Sequence, residues 1–252
     1  MMVAVSASVA RRALFGGVVG TTSSVLPAFM TGAIAVQLAD DLSLGASQLG
    51  LVIGGFFASA ALGSVLLGRL AERLGPGAAM RIGLTTSMLT GLAMSQARGP
   101  LHLGLALLVA GTSNALTQPA ANLLLVRHVP DGRLGLAMAL KQAGMPIASL
   151  LGGVAVPVLA LTVGWRWAYV AAALVAGAAM AAVPAAAGSA RAARSTSSVP
   201  RPRPDLPRSL LVGYAAVGLL GAAAAGATVS FLVSAGEQSG LSPSAAGLLL
   251  TG

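Results

Sequence analysis

The chain alternates long apolar runs with short polar gaps. Residues 42–68 carry no charge, nor do residues 82–97. Between these runs sits a polar island, GRLAERLGPGAAMR at positions 68–81, which holds Arg69, Glu72, Arg73 and Arg81. At ~1.5 Å per residue such runs suit a hydrocarbon layer of ~30 Å, so the island reads as a tight turn between two membrane-crossing helices. The theme repeats along the chain. Spans are predicted over 13–36, 46–68, 78–97, 103–126, 134 to about 161, 168–187 and 209–235. An eighth begins near Pro243, a residue suited to a first helical turn, and the sequence stops at Gly252 about ten residues later. The expected fold is therefore all-α, a polytopic helical bundle cut off within its eighth helix.

Three features refine this pattern. The first run could be taken for a signal peptide, with Arg11-Arg12 as a twin-arginine signal. It is longer than a 7–15 residue signal core and more spans follow, which favours an uncleaved first helix. The fifth run contains Gly144, Pro146, Gly152, Gly153 and Pro157, which predicts a kinked helix with freed carbonyls. On the second run, Gly50, Gly54 and Ala58, with Gly55, Ser59 and Gly63 on a neighbouring line, form a small-residue packing face.

Composition closes off the soluble alternatives. Hydrophobic residues make up 56% of the chain and charged residues 8%, against about 25% charged in a soluble domain, and mean hydropathy is +0.87. Continuous apolar runs rather than alternating ~10-residue segments exclude a membrane barrel. With no cysteine there is no disulfide, thiol nucleophile or cysteine metal site, and no metal site is expected. The net charge of +9 does not point to nucleic acid, because the arginines sit in short gaps rather than on one face. With the N-terminus in the cytoplasm, twelve of the 15 Lys and Arg residues fall in inside gaps: Arg11, Arg12, Arg69, Arg73, Arg81, Arg127, Arg133, Arg191, Arg194, Arg201, Arg203 and Arg208. That bias sets the topology, and Asp40, Asp41 and Glu237 fall in outside gaps.

Candidate chemistry is sparse. Asn114, Gln118 and Asn122 recur every four residues, so three amides share one helical face and either line a cavity or bond across helices. Thr22 belongs to a patch from Thr21 to Ser24, with Pro27 beyond, which either lines a cavity or bonds back to its own helix. Lys141 is the sole lysine and stands eight residues past Arg133, ~12 Å along a helix. There its ammonium either meets a polar cavity, with Gln142, Asn114 and Gln118 as neighbours, or snorkels to the interface. No Asp or Glu lies inside a predicted span, so no proton carrier is visible. A buried cation without a buried acid leans toward an anionic or polar organic solute.

Six spans, a basic loop at 188–208 and a fresh set of spans resemble the major facilitator superfamily. The island resembles that superfamily's loop between helices two and three through Gly68, Leu70, Glu72, Arg73 and Gly75. Glu72 stands for the commoner Asp, and Pro76 and Gly77 replace the basic pair, with Arg81 later. In the family this loop acts as a conformational latch. Lys141 to Pro146, followed by Gly152 and Gly153, is similar to the family's glycine- and proline-rich fifth helix, with looser spacing than the antiporter form. The resemblance implies a six-helix bundle over 1–187, a cytoplasmic linker over 188–208 and the start of a second bundle over 209–252. It implies a secondary transporter in the cytoplasmic membrane that moves a small solute by alternating access, with protons a candidate coupling ion and no cofactor. A small anion or metabolite permease and a drug-efflux antiporter are the alternatives, as is an inactive fragment. An enzyme is disfavoured because only His102 and His128 exist, one on each side, and a pump because no phosphate-binding glycine loop occurs.

Overall fold

The computed structural model describes residues 7–183 and 207–249. The expected N-terminal segment before residue 7, the last residues of the sixth span, most of the 188–208 linker and the final three residues lie outside them.

The described chain is helical throughout. Its elements are α1 Ala7–Ala33, α2 Ala35–Leu42, α3 Ala46–Leu74, α4 Pro76–Ser95, α5 Pro100–His128, α6 Asp131–Gln142, α7 Gly144–Ala155, a π-helical turn Val156–Ala160, α8 Trp165–Ala182, α9 Arg208–Gln238 and α10 Pro243–Leu248. Local chemistry sets several boundaries. Pro76 and Pro100 stand in the first turns of α4 and α5, where a missing N–H costs nothing. Gln48 reaches back from α3 so that its Oε1 accepts the Gly45 N–H at 3.0 Å.

The expected turn over 68–81 is a correction. Helix α3 runs through the island to Leu74, and Gly75 alone separates it from α4. Gly75 has φ 84° and ψ 153°, a backbone state that a side chain resists, so one glycine does the work of a loop. A Cβ on Gly68 would meet nothing within 4 Å, so this glycine gives no close helix approach among the described residues. Nor does an ion pair join Glu72 to Arg73 there. Asp40 and Asp41 were expected in a gap, yet α2 carries both in its last turn, and Glu237 likewise ends α9. In both places the helix carries polar residues past the expected boundary, and α9 runs through Gly236 without a break.

The fifth span is broken where proline demands it and straight where it was expected to bend. Pro146 has no N–H for the Gln142 carbonyl, and the helix is interrupted at Ala143 between α6 and α7. Pro157 lies in the π-turn, the second irregularity. Gly152 and Gly153, in contrast, lie within continuous α7. Gly152 serves packing, since a Cβ there would stand 3.3 Å from the Phe29 carbonyl of α1.

Helix α5 sits among α1, α3 and α4, while α1 is enclosed by α5, α7 and α8. The interfaces are made of small residues, with Ala13, Ala28, Ala110, Ala120 and Ala168 fully buried. Of the two small-residue lines on α3, Gly55, Ser59 and Gly63 meet α5, whereas Gly54 faces open space. The outward surface is apolar, Leu62 being 85% exposed, as lipid contact requires. Four helices among the described residues are long and apolar enough to span a membrane: Ser8–Ala33, Ala46–Leu74, Asp131–Ala160 and Trp165–Ala182. Helices α4 and α5 fall short because they bury polar groups against neighbours. Ser113, for instance, donates to the Gly83 carbonyl at 2.6 Å and bonds the Ser87 hydroxyl at 2.7 Å.

One knot fastens the end remote from Gly75. Asp41 Oδ2 accepts the Trp165 indole N–H at 2.8 Å and the Arg166 guanidinium at 3.2 Å. Arg166 also lies 4.3 Å from the Trp165 ring centroid and donates to the Ala97 carbonyl. Because the ion pair is about half exposed (48% and 52%), it contributes little by itself. Asp41→Ala should therefore cost only about 1 kcal/mol, mostly for the stranded indole N–H, and Asp41→Asn less, read as thermal unfolding in detergent. Deeper in, the Tyr169 hydroxyl bonds Thr31 Oγ1 at 2.7 Å, and Thr31 donates to the Pro27 carbonyl. Tyr169→Phe should lose about 1 kcal/mol in the same measurement.

Candidate functional site

Lys141 is the single buried charged side chain of the described core, 3% exposed. It occupies the last turn of α6, directly before the interruption at Ala143. A cation there offsets the partial negative charge of a helix C-terminus that the Pro146 break creates inside the span. Its aliphatic stem runs beside Gly17 of α1, where a Cβ would sit 3.7 Å from Lys141 Cγ. The ammonium therefore does not snorkel to the interface.

Lys141 Nζ donates to Gln118 Oε1 at 2.5 Å and to Gln142 Oε1 at 3.0 Å. An ammonium has three donors and no acceptor, so the Gln118 amide must turn its oxygen inward. Its Nε2 is then buried with no partner. A cavity of about 380 Å³ opens here, lined by Gln118, Asn122, Met138, Lys141, Gln142 and Met145. No carboxylate lines it. Lys141 keeps one N–H and Gln118 its amide hydrogens without an acceptor, while Asn122 and Gln142 add amides that can both donate and accept.

The expected residues divide cleanly. Lys141, Gln142, Gln118 and Asn122 share the cavity. Asn114 does not line it; its Oδ1 accepts from Ser24 Oγ at 3.0 Å, tying α5 to α1. Thr22 returns its proton to the Val18 carbonyl at 3.0 Å, and Ser23 does the same to Val19. Thr21 differs, for its Oγ1 is buried without a partner while Gly144 of α7 presses against it. Met138 and Met145 escaped sequence reasoning, although they stand three before and four after Lys141, the spacing that shares its helical face.

Residues 14–252 match the sequence pattern of the Major Facilitator Superfamily. The chain belongs to this superfamily. It is 28% identical over 144 residues to a gallate transporter of Pseudomonas putida, a match covering 57% of the chain and 32% of that protein. Its fold is similar to two crystal structures of the peptide transporter POT carrying an E310Q substitution. With the sulfate complex the TM-score is 0.57 at 15% identity, covering 88% of this chain and 45% of that one. With the alafosfalin complex it is 0.52 at 18% identity, covering 88% and 47%. The chain thus spans about half the length of the structures and a third of the relative that it matches. Membership makes it a multi-pass membrane protein of a transporter family.

Proposed function

We propose that this chain contributes the binding half of a secondary transporter that moves a small organic anion across the cytoplasmic membrane by alternating access. The observation that carries the reading is buried Lys141, with an unused N–H beside the unpartnered Gln118 amide nitrogen and no carboxylate in the cavity wall. An ammonium kept from water costs a few kcal/mol unless something compensates it. Two amide oxygens compensate in part, and a solute carboxylate would complete the coordination by accepting from Lys141 Nζ and Gln118 Nε2. Met138 and Met145 offer polarizable contacts to the body of the solute, aromatic rings included. Gallate, the solute named for the Pseudomonas relative, is an aromatic carboxylate and fits this chemistry. The arginine bias supports a cytoplasmic N-terminus. Rocking of one bundle against another around a midplane site is the motion that such a position serves.

The test sets each of a panel of aromatic and aliphatic carboxylates, gallate included, against its own neutral amide. The expected result is thermal stabilisation of the detergent-purified protein by at least one carboxylate and by no amide. Equal stabilisation by acid and amide, or by none, refutes an anion site.

A further inference from the structure

A second cavity lies apart from Lys141, at the end of the bundle where α1 and α4 begin and α8 ends. It measures about 710 Å³ and is lined by Arg11, Arg12, Phe15, Arg81, Met180 and Val183 among others. Three guanidiniums face one space with no carboxylate in its wall, and no ion pair among the described residues engages any of them. Arg81 makes one bond within the fold, from Nη2 to the Val183 carbonyl at 3.4 Å, which leaves its remaining donors for another molecule. Beside the charges the wall is apolar, with Phe15 61% exposed and Met180 next to it.

We propose that this cavity binds the phosphate headgroup of an anionic membrane lipid. Guanidiniums match phosphate oxygens in geometry and charge, and basic pockets between helix ends suit lipid headgroups. Arg11 and Arg12 directly precede the first apolar run, which sets the cavity at headgroup depth. The Phe15 and Met180 side then receives the start of the acyl chains. The segment following Val183 is a poor occupant, since it carries Arg191, Arg194, Arg201, Arg203 and Arg208 against Asp205 alone. The proposal is independent of the Lys141 reading and uses other residues.

The experiment is native mass spectrometry of the full chain released from bilayers of phosphatidylglycerol and phosphatidylcholine in equal parts. One phosphatidylglycerol should stay bound in preference to phosphatidylcholine. Each of Arg11→Gln, Arg12→Gln and Arg81→Gln should weaken retention roughly five-fold, while Arg133→Gln, an exposed arginine outside the cavity, leaves it unchanged. Retention that survives all three substitutions together overturns the proposal. Equal retention of the two lipids by the unsubstituted chain overturns it as well, which keeps the test decisive if the triple variant does not fold. Inorganic phosphate that displaces the lipid at equal concentration assigns the cavity to a soluble anion and overturns the lipid assignment.

Discussion

On the anion-site reading proposed above, Lys141→Met in a transporter that contains this half should lower anion transport in vesicles by at least ~100-fold, and yet raise the melting temperature of the solute-free protein. The two effects share one cause. Methionine replaces the buried ammonium with an apolar chain of similar length, and removing a poorly compensated buried charge is commonly stabilising by about 1 kcal/mol or more. The same substitution takes away the group that would meet a solute carboxylate, and losing one partner of a buried charged hydrogen bond costs ~2–5 kcal/mol of binding. Lys141→Arg keeps the charge but brings a planar fork into a space shaped by Met138 and Met145, so transport should be weakened and not lost. Higher stability with unimpaired transport would remove Lys141 from the site and leave it as a structural lysine.

The largest purely structural effect is expected at Gly111 of α5. A Cβ there would run into the Phe56 carbonyl oxygen and fall 3.0 Å from its carbon, both backbone atoms of α3, and against Ser59 Oγ as well. A side-chain end could swing aside; a carbonyl inside a helix cannot. Ser59 also donates to the Leu108 carbonyl at 2.8 Å, so the two helices are bonded at the point of closest approach. Gly111→Ala should therefore force α3 and α5 apart and cost on the order of 3 kcal/mol or more, seen as a large drop in melting temperature or failure to accumulate in the membrane. Gly54→Ala, on the open side of α3, should be neutral or slightly stabilising. Equal effects at the two glycines would contradict the packing.

Much of the fold was legible because lipid leaves a chain few options. Apolar runs of spanning length had to be helices, and proline fixed both irregularities of the fifth span. What pattern could not settle was local continuity. Polar residues at 68–74 signalled a loop, but polarity marks where water begins and not where a helix ends, and Gly75 was the true stop. The site was half legible. Periodicity alone put Gln118 and Asn122 on one face, and the depth of Lys141 drew attention to it. Asn114 shares that face, yet its partner is Ser24 on another helix, a pairing no single-helix period can reveal. The three-arginine cavity was invisible for the same reason, since Arg11, Arg81 and Met180 come from three distant stretches.

A connection of one residue between α3 and α4 leaves no slack. If the bundle tilts, these two helices must swing together like the arms of a set square, because Gly75 can twist a little but cannot stretch. Any pull applied at the Arg69–Arg73 end of one is delivered undamped to the base of the other, and from there to the α5 contacts beneath. Lengthening the joint by a few flexible residues would turn the set square into a slack chain, with both helices intact and their motions uncoupled.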